Sequence, residues 1–193
     1  MNHRLLQFME KNTSLSRDEI LEIMKDMVVE TYSKGTILLR QGEVSDKCYF
    51  VLAGCIRQYS VGDDGKEVTI NFFTEEQAVV IFKSYKQKIP SDYFLSCTEG
   101  STLLVGDLES EEKMYEKFPV MEKITRMIVE HNFGEEQDEK ARFMAAVPEM
   151  RYRMLLKKRP GLINRVPQHQ LASYLGITPE SLSRIKKRVS QDC

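Results

Sequence analysis

Between residues 32 and 107 the hydrophobic pattern has a period of two, and this pattern restricts the possible fold more strongly than any other feature. Apolar residues such as Ile37 and Leu39 alternate there with polar neighbours. Because successive side chains of a strand point to opposite faces, this alternation predicts half-buried β-strands. Glycines separate the runs, and we expect hairpins at "DDGK" and at the "TEG" between "YFLSC" and "STLLV". Many short strands with regular turns predict a sandwich or a barrel.

Helical patterns lie on both sides of this β region. Residues 14–30 have a capping box, formed by Ser16 and Glu19, and an apolar face at three-to-four spacing. Pro119 suits the first position of another helix, which we expect to extend to about residue 146. An apolar stripe on that helix must be covered by the barrel, by a second copy of the chain, or by both. The stripe residues that we assign to a dimer contact are Val120, Ile124, Met127, Ile128 and His131.

The net charge of -1 conceals a strong asymmetry along the chain. Residues 151–193 contain ten Lys and Arg against two Asp and Glu, which gives +8. The preceding 150 residues contain 18 basic and 27 acidic side chains, which gives -9. Charge separated in this way indicates two modules, of which the C-terminal one is suited to a polyanion.

The C-terminal stretch "QLASYLGITPESLSRIKKR" has the pattern of two short helices joined by a tight turn, and residues 148–158 predict a further helix before it. Gly176 suits the turn, Thr178 can cap the second helix, and Pro179 suits its first position. The apolar residues assigned to the inward faces are Leu171, Ala172, Leu175, Leu182, Ile185 and Val189. The pattern predicts a helix-turn-helix, with an ordinary helical hairpin that has a solvated basic face as the alternative.

The outward face of the second helix carries side chains of the kinds that bind DNA. A carboxylate accepts a hydrogen bond from cytosine N4, and an arginine donates two hydrogen bonds to guanine O6 and N7. Lysine and arginine also neutralise phosphates. We assign base contacts to Glu180, Ser181, Ser183 and Arg184. We assign phosphate contacts to Gln168, Lys186, Lys187 and Arg188.

With these motifs the chain resembles the Crp/Fnr family of bacterial transcription regulators. The segments that carry the resemblance are "KGTILLRQGE", "CYFVLAGCIRQY", "DGKEVTINFF" and "PESLSR". The resemblance implies an α+β fold with a cyclic-nucleotide-binding-like β-roll (a jelly roll) in residues 1–118, a dimerisation helix in 119–146 and a winged helix-turn-helix in 147–193. It further implies a cytoplasmic homodimer that binds double-stranded DNA at a palindromic operator and contacts RNA polymerase. By the same match, Glu180, Ser183 and Arg184 contact the bases.

The effector region departs from the family pattern. Family members that bind cyclic AMP hold its phosphate with a glycine-containing turn and an arginine. This chain has no glycine between Gly65 and Gly100 and no arginine between Arg57 and Arg126. We therefore predict no cofactor, and a small effector other than cyclic AMP if one is used. The residues assigned to an effector pocket are Phe82, Lys83, Tyr85, Tyr93 and Met127.

The wing is a second departure from the family pattern. The sequence stops soon after the second helix of the pair, so we expect the wing to be absent or very short. Phosphate contacts would then fall more heavily on basic residues ahead of the helix pair. These residues are Lys157, Lys158, Arg159 and Arg165.

Two other functions remain open from the sequence. A cupin-like metalloenzyme needs clustered histidine and carboxylate ligands, but the three histidines, His3, His131 and His169, lie outside the strand region. His131 could ligate a haem, although a core or interface histidine is the simpler interpretation. We therefore predict neither catalytic residues nor a metal site. Alternatively, the β region binds another protein and DNA binding is vestigial, which a weak salt dependence of DNA affinity would indicate.

Cysteine spacing and hydropathy bear on the cellular compartment. The four cysteines, Cys48, Cys55, Cys97 and Cys193, form no CxxC pair, so we expect reduced thiols. No apolar run approaches the roughly 18–20 residues needed to cross a bilayer, and the N-terminal residues lack the apolar region of a secretory signal. We expect a cytoplasmic protein without a membrane partner.

Overall fold

The computed structural model describes the backbone of residues 3–191 and their side chains, apart from the side chains of residues 128 and 131–140. The described strands form two four-stranded sheets that are antiparallel throughout. The strands are β1 (Val28–Tyr32), β2 (Ile37–Leu39), β3 (Lys47–Ala53), β4 (Ile56–Val61), β5 (Glu67–Phe73), β6 (Ala78–Val79), β7 (Phe94–Cys97) and β8 (Ser101–Asp107). One sheet has the order β1-β8-β3-β6 and the other has the order β2-β7-β4-β5.

Helices precede, interrupt and follow the sheets. They are α1 (His3–Asn12), α2 (Arg17–Met24), α3 (Phe82–Gln87), α4 (Leu108–Lys117), α5 (Pro119–Ala145), α6 (Pro148–Lys158), α7 (Leu162–Arg165), α8 (Gln168–Leu175) and α9 (Pro179–Gln191). The capping box at Ser16 and Glu19 and the proline start of α5 are confirmed.

The alternation of apolar and polar residues is confirmed as a two-sheet roll with an apolar interior. Val51, Val79, Leu95 and Leu103 point into that interior and are at most 1% exposed. The hairpin at "DDGK" is confirmed, because β4 pairs with β5 and the N–H of Gly65 donates to the carbonyl of Gly62. The inward residues of the two sheets form one shared core.

The hairpin predicted at "TEG" is wrong. Strand β7 pairs with β2 and β4, whereas β8 pairs with β1 and β3 in the other sheet. The chain crosses between the sheets here, and Thr98 holds the crossing by donating its N–H and its hydroxyl to the carbonyl of Cys55. Alternation in the sequence gives the inward face of a strand but not its hydrogen-bonding neighbour, so it could not distinguish a hairpin from a crossing.

The first turns of α5 are buried against their own chain. Together with α1 and α2 they cover the outer face of the β1-β8-β3-β6 sheet, in a cluster that includes Leu6, Ile20, Leu52 and Ile124. Of the stripe assigned to a dimer contact, Ile124 is 6% exposed and Val120 is partly buried in this cluster. Met127 is 50% exposed. The side chains of Ile128 and His131 lie outside the described residues.

Gly54 controls the crossing between β3 and β4, and we expect its replacement by alanine to destabilise the fold. Its φ is +105°, and an added Cβ would lie 2.6 Å from the Cα of Ser101. Conformational strain and overpacking together should lower the free energy of unfolding by about 3 kcal/mol in Gly54→Ala.

The matched control is Gly65→Ala, at a φ of +75° with no atom within 4 Å of the added Cβ. It should lose about 1 kcal/mol, because only the conformational strain remains. Urea denaturation of both variants measures the difference. If both variants lost the same free energy of unfolding, the close contact with Ser101 would not contribute to the effect of Gly54→Ala.

Candidate nucleic-acid interface

Helices α8 and α9 are joined by a three-residue turn at 176–178. Gly176 ends α8 in the left-handed conformation with φ +69°, and its N–H donates to the carbonyls of Ala172 and Ser173. The hydroxyl of Thr178 accepts a hydrogen bond from the N–H of Ser181 at 3.3 Å. The predicted turn glycine and the predicted helix cap are therefore confirmed.

The inward faces of the pair form one core with the helices before it. All six residues assigned to those faces are at most 6% exposed. They pack against Tyr152 and Leu155 of α6 and Leu162 of α7. Burial of this stripe fixes which side of α9 faces outward.

The residues assigned to base contacts lie on the outward side of α9. Glu180, Ser183 and Arg184 are exposed, and Ser181 is half-buried. A guanidinium N–H of Arg184 donates to the hydroxyl of Ser181 at 3.2 Å. Backbone and Thr178 hydrogen bonds at the start of the helix lower the pKa of Glu180. This face therefore presents a carboxylate, a hydroxyl and a guanidinium that Ser181 orients.

The residues assigned to phosphate contacts differ in their surroundings. Lys186 donates to the side-chain carbonyl of Gln168, which links α9 to the start of α8. Burial lowers the pKa of Lys186. Arg188 forms an ion pair at 3.2 Å with Glu149 of α6, and Lys187 is exposed.

The expectation that Arg159 and Arg165 hold phosphates stays a prediction, because both guanidinium groups already have protein partners in the structure described. Arg159 donates to the carbonyl of Phe72 at 2.7 Å, and Arg165 binds Glu75 and Glu99. Both guanidinium groups thus attach the C-terminal helices to the β-roll. The sequence shows charge but not long-range ion pairs, so it could not assign these arginines. Lys157 and Lys158 are exposed.

The residues assigned to an effector pocket lie in different environments. Tyr85 is 2% exposed, and its hydroxyl donates to a carboxylate oxygen of Glu111 at 3.2 Å. Phe82 and Met127 are about half exposed, at 53% and 50%. Lys83 is exposed, and Tyr93 packs at the edge of the roll interior. No hydrogen bond or ring contact described in the structure joins two of the five side chains.

Arg57, one of two arginines in the β-roll strands and turns, is also unavailable for a ligand phosphate. It is 3% exposed, donates to the hydroxyl of Thr69 at 2.9 Å and forms an ion pair with Glu67. Its guanidinium also lies 4.2 Å from the ring centroid of Tyr59. These contacts stabilise the outer face of the β4–β5 pair.

The described cysteines are thiols. Cys48, Cys55 and Cys97 form no disulfide, and burial raises the pKa of each, that of Cys55 to about 11. Cys193 lies outside the described residues. Within the described part of the chain, no group of three His, Cys, Asp or Glu side chains could hold a metal ion. Over the same part, no helix has the combined length and hydrophobicity to span a membrane.

Comparison with protein-family models identifies the β-roll. Residues 29–116 match the cyclic nucleotide-binding domain model. A search of curated proteins found no significant match.

Solved structures match over almost the whole chain. The c-di-GMP responsive global regulator CLP of Xanthomonas campestris has a TM-score of 0.68 at 16% identity, and the match covers 92% of this chain and 93% of that one. A CooA variant from Carboxydothermus hydrogenoformans has a TM-score of 0.67 at 15% identity, covering 99% and 86%. The catabolite activator protein of Thermus thermophilus has a TM-score of 0.54 at 18% identity, covering 93% and 85%. Residues 29–116 thus match a cyclic nucleotide-binding domain, and the chain has a fold that Crp/Fnr-type regulators share.

Proposed function

We propose that this chain is a sequence-specific, DNA-binding transcription regulator of the Crp/Fnr type. The observation that carries the proposal is the exposed polar face of α9, opposite a fully buried apolar face. A helix with this amphipathicity, supported by a preceding helix and a tight turn, fits the major groove of B-DNA. The +8 charge of residues 151–193 supplies the electrostatic attraction.

Base contacts fall to three side chains of α9. Glu180 accepts from cytosine N4, Arg184 donates to guanine, and Ser183 donates to or accepts from either base. Ser181 acts on Arg184, because its hydroxyl accepts a hydrogen bond from that guanidinium. Lys187 neutralises phosphates beside the reading positions, and Lys186 and Arg188 do the same when they exchange Gln168 and Glu149 for phosphate oxygens.

The regulator acts as a homodimer on a palindromic operator. Two copies of α9 related by a two-fold axis then enter successive major grooves about 34 Å apart. Helix α5 supplies the dimer contact through Met127, which is 50% exposed, since Ile124 is committed to its own chain. RNA polymerase is the expected protein partner of the DNA-bound dimer.

A small effector other than cyclic AMP would control the dimer through the domain in residues 29–116. The match to a cyclic nucleotide-binding domain supports a ligand there. The contacts of Arg57 with Glu67 and Thr69 argue against a cyclic phosphate, because that guanidinium is already paired. The effector would shift a population between dimer states.

Selection of bound DNA from a random pool tests the proposal directly. We expect enrichment of one palindrome whose half-sites are about 10 base pairs apart, centre to centre. Affinity for it should fall steeply with salt, because phosphate contacts release counterions. Sequence-independent binding with a weak salt dependence would instead favour a protein-interaction module.

Replacing Arg184 should relax sequence preference. We expect Arg184→Ala to cost about 1–3 kcal/mol on the selected operator and to lose discrimination at one G·C pair per half-site. Binding measurements on operators mutated at each position provide the test.

The matched control is Lys187→Ala, which removes the same charge from the same helix. It should weaken binding to all sequences alike and lower the salt slope by about 0.9. If Arg184→Ala kept the sequence preference of the parent, the assignment of Arg184 would be wrong.

Placing a charge on the exposed part of α5 should weaken the dimer. We expect Met127→Lys to raise the dimer dissociation constant at least about ten-fold. A ten-fold change corresponds to about 1.4 kcal/mol, and burying an unpaired charge in the interface costs more than that. Sedimentation equilibrium measures this constant. The control, Glu122→Gln, makes the same +1 change on another exposed side of α5. An equal shift in both variants would place the dimer contact elsewhere.

A further inference from the structure

We propose that Arg165 is a positioning residue, which docks the C-terminal helices onto the β-roll of the same chain and so sets the spacing of the two α9 helices in a dimer. The docking contact comprises Arg159, Arg165, Ser173 and Tyr174 on the helices, with the residues of the roll that they touch. The spacing role rests on the proposed function, whereas the docking itself does not.

Arg165 gathers three turns of the roll around one guanidinium. Its Nη2 donates to the carbonyl of Gly54 at 2.8 Å, its Nη1 to Glu75 at 2.9 Å and its Nε to Glu99 at 3.0 Å. Those acceptors lie on the β3–β4, β5–β6 and β7–β8 connections. A planar guanidinium with donors in several directions can satisfy all three, whereas a lysine ammonium matches this arrangement poorly.

The carboxylate of Glu75 is ionised at neutral pH. Burial acts to raise the pKa of Glu75, but hydrogen bonds from Arg165 and from the N–H of Gly54 outweigh it and lower the pKa overall. Hydrogen bonds with Glu75 and Glu99 raise the pKa of Arg165. The contribution of Glu75 is therefore complete above its ordinary pKa and is lost as pH falls through the lowered value.

The rest of the docking contact is formed by Tyr174 and Ser173 of α8 against strand β5. Phe72 is 0% exposed and meets the ring of Tyr174 edge-on at 5.6 Å. The hydroxyl of Ser173 accepts from the N–H of Thr69 at 2.9 Å and donates to the carbonyl of Glu67 at 3.2 Å. Strand β5 is thus bound along its length by α8 and by Arg159.

The docking contact leaves the proposed DNA-binding face accessible. Docking residues come from α8 and from the segment before it, while Glu180, Ser183 and Arg184 of α9 stay exposed. The direct covalent link between α5 and α6 is two residues long, at 146–147. Arg151 braces this link, because it donates to the carbonyls of Phe143 and Ala146 and to that of Leu175.

The docking contact therefore gives each α9 a second attachment besides the end of α5. In a dimer the two α9 helices must lie one turn of DNA apart, so a rigid second attachment restricts the half-site spacing that can be bound. A single half-site places no such demand. Spacing selectivity is consequently the property that depends on Arg165.

The experiment compares the full chain with Arg165→Gln, with Arg165→Lys and with the double variant Glu75→Gln/Glu99→Gln. The control is Glu76→Gln. Glu76 is adjacent to Glu75 in the sequence, but its carboxylate lies 3.9 Å from the ammonium of Lys11 in α1. Amide hydrogen exchange of residues 67–73 reports docking without DNA. Positioning of the two α9 helices is measured by DNA affinity. The three DNAs are the selected palindrome, the same palindrome with two added base pairs between half-sites, and one half-site.

We expect the double variant and Arg165→Gln to lose protection of residues 67–73 against amide exchange. Their spacing selectivity should fall about ten-fold, which is the effect expected when the hydrogen bonds of one charged group are lost. Half-site affinity should stay within about two-fold, because α9 is unchanged. The lysine variant should behave like Arg165→Gln. Glu76→Gln should match the parent.

Three results would overturn parts of the proposal separately. Protection that is as high in the double variant as in Glu76→Gln would show that Arg165 does not dock the helices. Lost protection with unchanged spacing selectivity would refute the positioning role. If Arg165→Gln lost half-site affinity and Arg165→Lys kept it, Arg165 would be a phosphate contact. Failure to select any DNA would reject the proposed function and the spacing role together, while the exchange data would still decide the docking.

Discussion

Strand β5 is shared between two hydrophobic cores, and the arrangement of the whole chain depends on this. Phe73 points into the roll and Phe72, its neighbour, points into the core of the C-terminal helices. Because adjacent residues of a strand face opposite sides, one strand can contribute to both cores. Burial of one phenylalanine side chain contributes about 1.5–3 kcal/mol, so separating the helices from the roll carries a substantial cost.

Charged side chains have different roles near the shared strand and on the outward face of α9. Acidic side chains of the roll, Glu75 and Glu99, pair with Arg165. Arg184 and Lys187 of α9 remain on the exposed face. The -9 segment (residues 1–150) and the +8 segment (residues 151–193) therefore attract each other at one surface of the helical domain, and basic side chains remain on another.

Local features were predictable where a residue and its near neighbours decide the outcome. The cap at Ser16, the start of α5 at Pro119 and the left-handed turn at Gly176 follow from short-range geometry, and all three are confirmed. The buried face of α8 and α9 was also predictable, since helical spacing determines it. Features that depend on partners far away in sequence were not predictable, such as the crossing at "TEG" and the contacts of Arg159 and Arg165.

The sequence by itself determined the elements, the side of each element that is apolar, and the asymmetry of charge. It also determined that residues 180–188 present a polar and basic face, because the alternative rotation of α9 would bury charges. Only the tertiary structure decided which strands pair, which part of α5 its own chain covers, and which arginines are committed to carboxylates. Those outcomes depend on contacts between residues far apart in sequence, 66 residues in the case of Arg165 and Glu99, and no local pattern encodes such a contact.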